Sequence, residues 1–148
     1  MSIDSKAKGT KAETEVVKKL QEVTGLAWAR SPLSGATSYC KGDVWLPPTT
    51  GKISKYCIEV KWYEDDQITC NLLNQTESQI EKWWAQTVRE AGQMNAKPML
   101  IFRKNRGKFI LGVDTNLEHD VNYLHLNKKD NSIFLYLLDD VLQYFDFI

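Results

Sequence analysis

Asp43, Glu59 and Lys61 are the residues whose types and spacing can do chemistry. Glu59-Val60-Lys61 lies inside the stretch Ser54–Trp62, which alternates apolar and polar residues and predicts a strand. Side chains alternate across a strand, so Glu59 and Lys61 project together, opposite the row Tyr56, Ile58, Val60 and Trp62. Asp43 opens the preceding predicted strand, Asp43–Leu46. If the two strands pair like a hairpin, Asp43 and Glu59 converge. Two carboxylates plus a backbone carbonyl, that of Val60, suit Mg²⁺ or Mn²⁺, since Mg²⁺ keeps several waters and takes few protein ligands. An ion there can activate water and stabilise developing phosphoryl charge, and a neighbouring ammonium can polarise the nucleophile or a phosphate oxygen. A solvated strand face would carry the same alternation. The triplet also occurs as Asp4-Ser5-Lys6, but only Glu59-Val60-Lys61 sits in a strand with an acid suitably upstream.

The elements that must position these residues follow from periodicity. Residues 10–25 predict a helix with the stripe Ala12, Val16, Leu20 and Val23, a Thr10/Glu13 capping pattern and Gly25 as its stop. Short strands are expected at 26–30 and 43–46, the second stopped by Pro47-Pro48. A second helix is expected from about Thr76 to Ala91, with Ile80, Trp84, Val88 and Ala91 inward. Strands follow at 99–102, 109–113 and 132–138, then a short helix in the last ten residues. The order α-β-β-β-α-β-β describes a mixed α/β domain with helices packed on one sheet.

At 148 residues, with 43% hydrophobic and 26% charged residues, the chain suits one packed domain spanning 1–148. Residues 1–8 read as a flexible basic arm and 114–148 as a C-terminal extension of uncertain role. The formal net charge of zero excludes a strongly basic coat or histone-like protein. It conceals basic segments at Lys6, Lys8 and Lys11 and at Arg103, Lys104, Arg106 and Lys108, and an acidic C-terminal third. Basic segments flanking a carboxylate site favour contact with DNA phosphates, without base readout. Cys40, Cys57 and Cys70 form no framework, and His119 and His125 stand far from them, so reduced thiols are expected and a zinc site is not. No apolar run approaches a membrane span.

The string Lys8-Gly9-Thr10, Glu13, Arg30-Ser31-Pro32-Leu33-Ser34-Gly35, Gly42-Asp43-Val44 and Ile58-Glu59-Val60-Lys61 resembles the PD-(D/E)xK nuclease superfamily. Most closely it resembles the archaeal-type Holliday junction resolvases. The likeness covers residues 8–61, continues loosely to about 112, and leaves the C-terminal third unmatched. Gly42 replaces the usual Pro before the Asp, and Trp62-Tyr63 replace the small or basic residues usual after the Lys.

The resemblance implies a restriction-endonuclease-like core in which Asp43 and Glu59 bind Mg²⁺ and Lys61 assists catalysis. It also implies that Glu13 approaches the metal, directly or through water, and that Ser34 lies near the scissile phosphate. The activity implied is endonucleolytic cleavage of DNA, most like junction resolution by a C₂ homodimer in recombination or repair. Its place would be the cytoplasm of a bacterial, archaeal or phage-infected cell, associated with the nucleoid. Lys8, Lys11, Arg30, Ser34, Lys41, Gln79, Lys104, Arg106 and Lys108 are the expected DNA contacts.

Several residues carry two readings. Glu13 extends the buried stripe, which serves either the site or the Thr10 cap. Glu15 belongs to the outer face and can pair with Lys19. Gln79 forms a second capping pattern with Thr76. Arg30 clamps a phosphate or merely precedes a turn. Trp83, off the inward stripe, packs in the core or faces a partner subunit. Cleavage of linear duplex, flaps or ends is the rival enzymatic reading, and a non-catalytic DNA-binding module the rival outside enzymes.

Overall fold

The computed structural model describes residues 5–32 and 41–148. The strands are β1 (Ala29–Arg30), β2 (Val44–Trp45), β3 (Tyr56–Tyr63), β4 (Lys97–Lys104), β5 (Ile110–Val113), β6 (Leu124–Lys128) and β7 (Asn131–Leu137). The α-helices are α1 (Ser5–Thr24), α2 (Gln79–Gln93) and α3 (Leu138–Val141). The strands form one sheet in the order β1-β2-β3-β4-β5-β7-β6. Among the described residues only β3 and β4 pair in parallel, from Tyr56↔Lys97 to Tyr63↔Lys104, and α2 supplies the crossover that such a pair requires.

The alternation of β4 explains the layers. Met99 and Ile101 join Ala12, Val16 and Leu20 of α1 on one face, with Ile58 and Val60 of β3. Leu100 and Phe102 join Ile80, Trp83 and Trp84 of α2 on the other, with Ile133 and Leu135 of β7. A strand covered on both sides reads as the continuous apolar run Met99–Phe102. Residues 114–148, unmatched by the resemblance, continue the same sheet: β7 pairs with β5, and Phe147 packs edge-on against Trp28 at 5.3 Å.

Four expectations change. α1 starts at Ser5, so Lys8 lies in a helix and not in an arm, and Thr10 is interior. The Thr10/Glu13 cap therefore does not form; the Thr10 carbonyl accepts the Thr14 hydroxyl instead. On α2 the cap is Ser78/Glu81 in place of Thr76/Gln79, with Ser78 N–H donating to Glu81 and Glu81 N–H to Ser78. Glu81 is buried, and Lys128 and Asn131 also donate to its carboxylate. A charged acceptor with several donors outcompetes a neutral amide. Val88 is 45% exposed; the buried side of α2 runs through Ile80, Trp83, Trp84, Thr87 and Ala91, so Trp83 belongs to the core. Finally, β6 adds a strand to the expected order; Leu124–Lys128 is mostly polar and leans on β7 for its pairing.

Candidate active site

Asp43 is fixed by backbone before its side chain does anything. Its N–H donates to the Ile58 carbonyl at 2.7 Å, and its carbonyl accepts from Ser31 N–H at 2.9 Å. Its Oδ2 then accepts from Val60 N–H at 2.8 Å, pinning the carboxylate against β3. Gly42 makes this approach possible. Its φ is +84°, and a Cβ there would lie 2.8 Å from the Ile58 carbonyl oxygen. Proline, locked near φ −65°, cannot adopt that backbone. Glycine at this position is thus part of how Asp43 is delivered.

Glu59 is 2% exposed. Burial, contact with Glu90 and the proximity of Asp43 push its pKa up to about 11. Glu90 Oε2 is itself buried with no hydrogen-bond partner among the described residues. Such a cluster keeps a proton on Glu59 unless a cation compensates the charge.

The elements meet in register. α2 runs over β3 so that Trp83 packs on Tyr63 at 5.0 Å, Gln86 accepts from Lys61 at 3.1 Å and Glu90 meets Glu59. Steps of two along β3 match steps of three and four along α2, because both advance about 5–7 Å. Gln86 and Glu90 were missed by sequence reasoning. The signal lies in the helix phase: both share the Trp83 side of α2, which an inward Val88 would turn away from β3.

Glu13 completes the group from α1. Burial and Asp43 raise its pKa, while a hydrogen bond from Arg30 Nε at 3.2 Å and the charges of Arg30 and Lys61 lower it. With the cap absent, Glu13 points inward to its pairing with Arg30 and the charge of Asp43. Arg30 also donates to Thr10 Oγ1 at 3.4 Å, so its guanidinium is engaged within the protein.

The remaining expected residues are spread out. Gln79 sits in the first turn of α2, about 10 Å along the helix from Gln86. It is not brought to the carboxylates. Lys41 lines a cavity of about 290 Å³ with Val44, Trp45 and Cys57. Lys104 lies 3.6 Å from Asp66, and Arg106 and Lys108 are exposed between β4 and β5. Lys8 and Lys11 lie over Trp62. Glu15 pairs with Arg103 at 3.0 Å, and Lys19 with Asp139 at 2.7 Å, in place of the expected Glu15–Lys19 pair. Ser34 and Cys40 lie outside the described residues.

Among the described residues, no three or more His, Cys, Asp or Glu side chains form a ready-made metal cage. Hard oxygens from Asp43 and Glu59, beside the orphaned Glu90 oxygen, nevertheless fit a divalent ion that retains water ligands.

A mixed sheet with Asp43 immediately before β2 and Glu59-Val60-Lys61 on the adjacent β3 fits the restriction-endonuclease-like core of PD-(D/E)xK nucleases. Over residues 4–148 the chain matches the family described as "Phage putative PDDEXK endonuclease", and it belongs to that family. It is 47% identical over 152 residues to Protein D14 of Escherichia phage T5, spanning 97% of this chain and 95% of that protein. No solved structure matches it. Nucleases of this class generally use divalent metals. Among the described residues no helix is long and apolar enough to cross a membrane.

Proposed function

We propose that this chain is a Mg²⁺- or Mn²⁺-dependent endonuclease of DNA, selective for branched four-way junctions and acting as a two-fold dimer inside the host cell. The observation that carries the nuclease chemistry is the meeting of Asp43, just before β2, with Glu59 of β3, and Lys61 held next to them by Gln86. The junction preference rests on the resemblance of residues 8–61.

In this reading Asp43, Glu59 and the Val60 carbonyl would hold the ion, with Glu13 reaching it directly or through water. When bound, the ion draws charge from the scissile phosphate and makes water more acidic. Lys61 brings a positive charge to the attacking water or to a phosphate oxygen. Gln86 restrains that ammonium, so little reorganisation is needed as charge develops. The closely packed backbone of β2 on β3 keeps the carboxylates at fixed separation. In-line attack by water would leave a 5′-phosphate.

The test is cleavage of labelled four-way junction, flap, linear duplex and single strand side by side, with Mg²⁺ and with Mn²⁺. Symmetric paired nicks in the junction are expected, and Glu59→Gln should be inert. Equal cutting of flaps or linear duplex would shift the substrate to the rival nuclease reading. No nick in any DNA would leave only a binding module.

A further inference from the structure

Trp62 follows Lys61 and points to the opposite face of β3, toward α1. There the two basic segments of the sequence meet. Lys8 Nζ lies 5.9 Å from the indole centroid, Lys11 Nζ 5.7 Å and Arg103 Cζ 4.2 Å. Trp62 Nε1 donates to Asn105 Oδ1 at 2.7 Å, which fixes the ring. One carboxylate, Glu15, engages Arg103. Among the described residues no carboxylate pairs with Lys8 or Lys11, although Lys8 is only 9% exposed. Arg103 Nε is buried without an acceptor among the described residues.

This arrangement has an electrostatic deficit. Cation–π contacts return only part of what it costs to withdraw a buried ammonium such as that of Lys8 from water. Two ammoniums and an incompletely used guanidinium gathered on one ring are therefore suited to an anion. The indole already carries Arg103 at stacking distance, which disfavours a nucleobase as the ligand. The patch also has a defined place. Lys8 is five residues before Glu13 on α1, about 7–8 Å along the axis, and Trp62 adjoins Lys61.

We infer that Lys8, Lys11 and Arg103, assembled on Trp62, form a subsite for a backbone phosphate of the DNA strand beside the scissile bond. The inference rests on the nuclease reading and gives it a position: the strand enters over the first turns of α1. It also gives a role to Trp62, which departs from the residues usual after the lysine in related nucleases. The subsite carries charge without base contacts, so it binds all sequences alike.

Equilibrium binding of a linear duplex to the Glu59→Gln protein, titrated over salt in Mg²⁺, tests this without cleavage. Lys8→Met and Lys11→Met should each weaken binding at every sequence and each reduce the slope of log K against log salt by about 1. Lys11→Arg should retain the slope, and Trp62→Leu should lose affinity with both lysines present. Lys97→Met, an exposed lysine at the start of β4, should leave binding unchanged. Melting curves check folding. Lys11 is exposed, so its variant keeps the test valid should Lys8→Met be unstable. Unchanged slope and affinity in Lys11→Met, while Glu59→Gln still binds duplex, would overturn the subsite and leave the nuclease reading standing. A wild-type protein that neither binds nor cuts any DNA would overturn both.

Discussion

Lys61 Nζ donates to Gln86 Oε1 across 3.1 Å, from β3 to α2. This bond ties the Lys61 ammonium to the helix that crosses between the parallel strands. An unrestrained lysine has many rotamers, and the restraint matters most where charge develops in the transition state. Gln86→Met should therefore lower kcat about 10-fold or more with KM for DNA little changed, whereas Lys61→Met should cost about 10²–10³-fold. Gln86→Glu keeps an acceptor and should retain more activity than Gln86→Met, with an altered pH profile. Single-turnover rates decide: equal rates in Gln86→Met and wild type would remove Gln86 from the site's function.

The carboxyl cluster makes stability depend on pH in a stated direction. Glu59 is held up to about 11 by burial, Glu90 and Asp43, whereas in the unfolded chain it ionises near 4.5. A group raised on folding contributes stability below its unfolded pKa, and that contribution is lost as pH rises toward its folded pKa. In EDTA, Glu59→Gln should melt above wild type, by a margin that widens from pH 5 to pH 9. In a domain of this size about 1 kcal/mol shifts Tm by roughly 2–8 °C, so the effect is measurable by calorimetry. Excess Mg²⁺ should stabilise wild type and narrow the margin, because an ion bound only by the folded state adds to its stability. A margin constant with pH would refute this account of the cluster.

Glu81 predicts the opposite kind of effect. It caps α2 reciprocally with Ser78 and takes Lys128 at 3.1 Å, at 2% side-chain exposure. Glu81→Ala removes the cap partner and leaves the Lys128 ammonium with the Thr76 carbonyl as its acceptor, so about 2–4 kcal/mol of stability should disappear. Urea denaturation checks this. Since α2 carries Gln86 and Glu90, activity measured well below the new Tm should fall by less than 10-fold. A loss below about 1 kcal/mol would show that the pair is not a staple.

The sequence exposed the carboxylates and the lysine because strand alternation and the apolar run of β4 are local patterns. Glu13 was legible as an inward acid, although its reason was shared with a cap that does not form. Gln86 and Glu90 were hidden by helix phase. Placing Val88 inward rotates α2 by enough to turn both away from β3, and only the tertiary packing of Trp83 on Tyr63 and Phe102 sets the true phase. The convergence of Lys11 and Arg103 on one indole was also beyond reach, because it joins residues far apart in the chain. The strand β6 is short and polar, and its partner β7 defines it.

Gly42 offers the sharpest test of how Asp43 is positioned. A Cβ at residue 42 would meet the Ile58 carbonyl oxygen at 2.8 Å and the Cys57 sulfur at 3.2 Å, and φ is +84°. Backbone, not a flexible side chain, stands in the way, so β2 must move off β3 to accommodate alanine. That movement breaks the Asp43 N–H bond to Ile58 and the Val60 bond to the Asp43 carboxylate. Gly42→Ala should cost about 1–3 kcal/mol of stability and also reduce kcat at temperatures where the protein remains folded. Gly25 is the matched control: its φ is +71°, but nothing lies within 4 Å of where an alanine methyl would sit. Gly25→Ala should cost about 1 kcal/mol from backbone strain alone and leave kcat unchanged. Equal activity in the two variants would mean that β2 tolerates displacement, and that Asp43 does not depend on its contact with Val60.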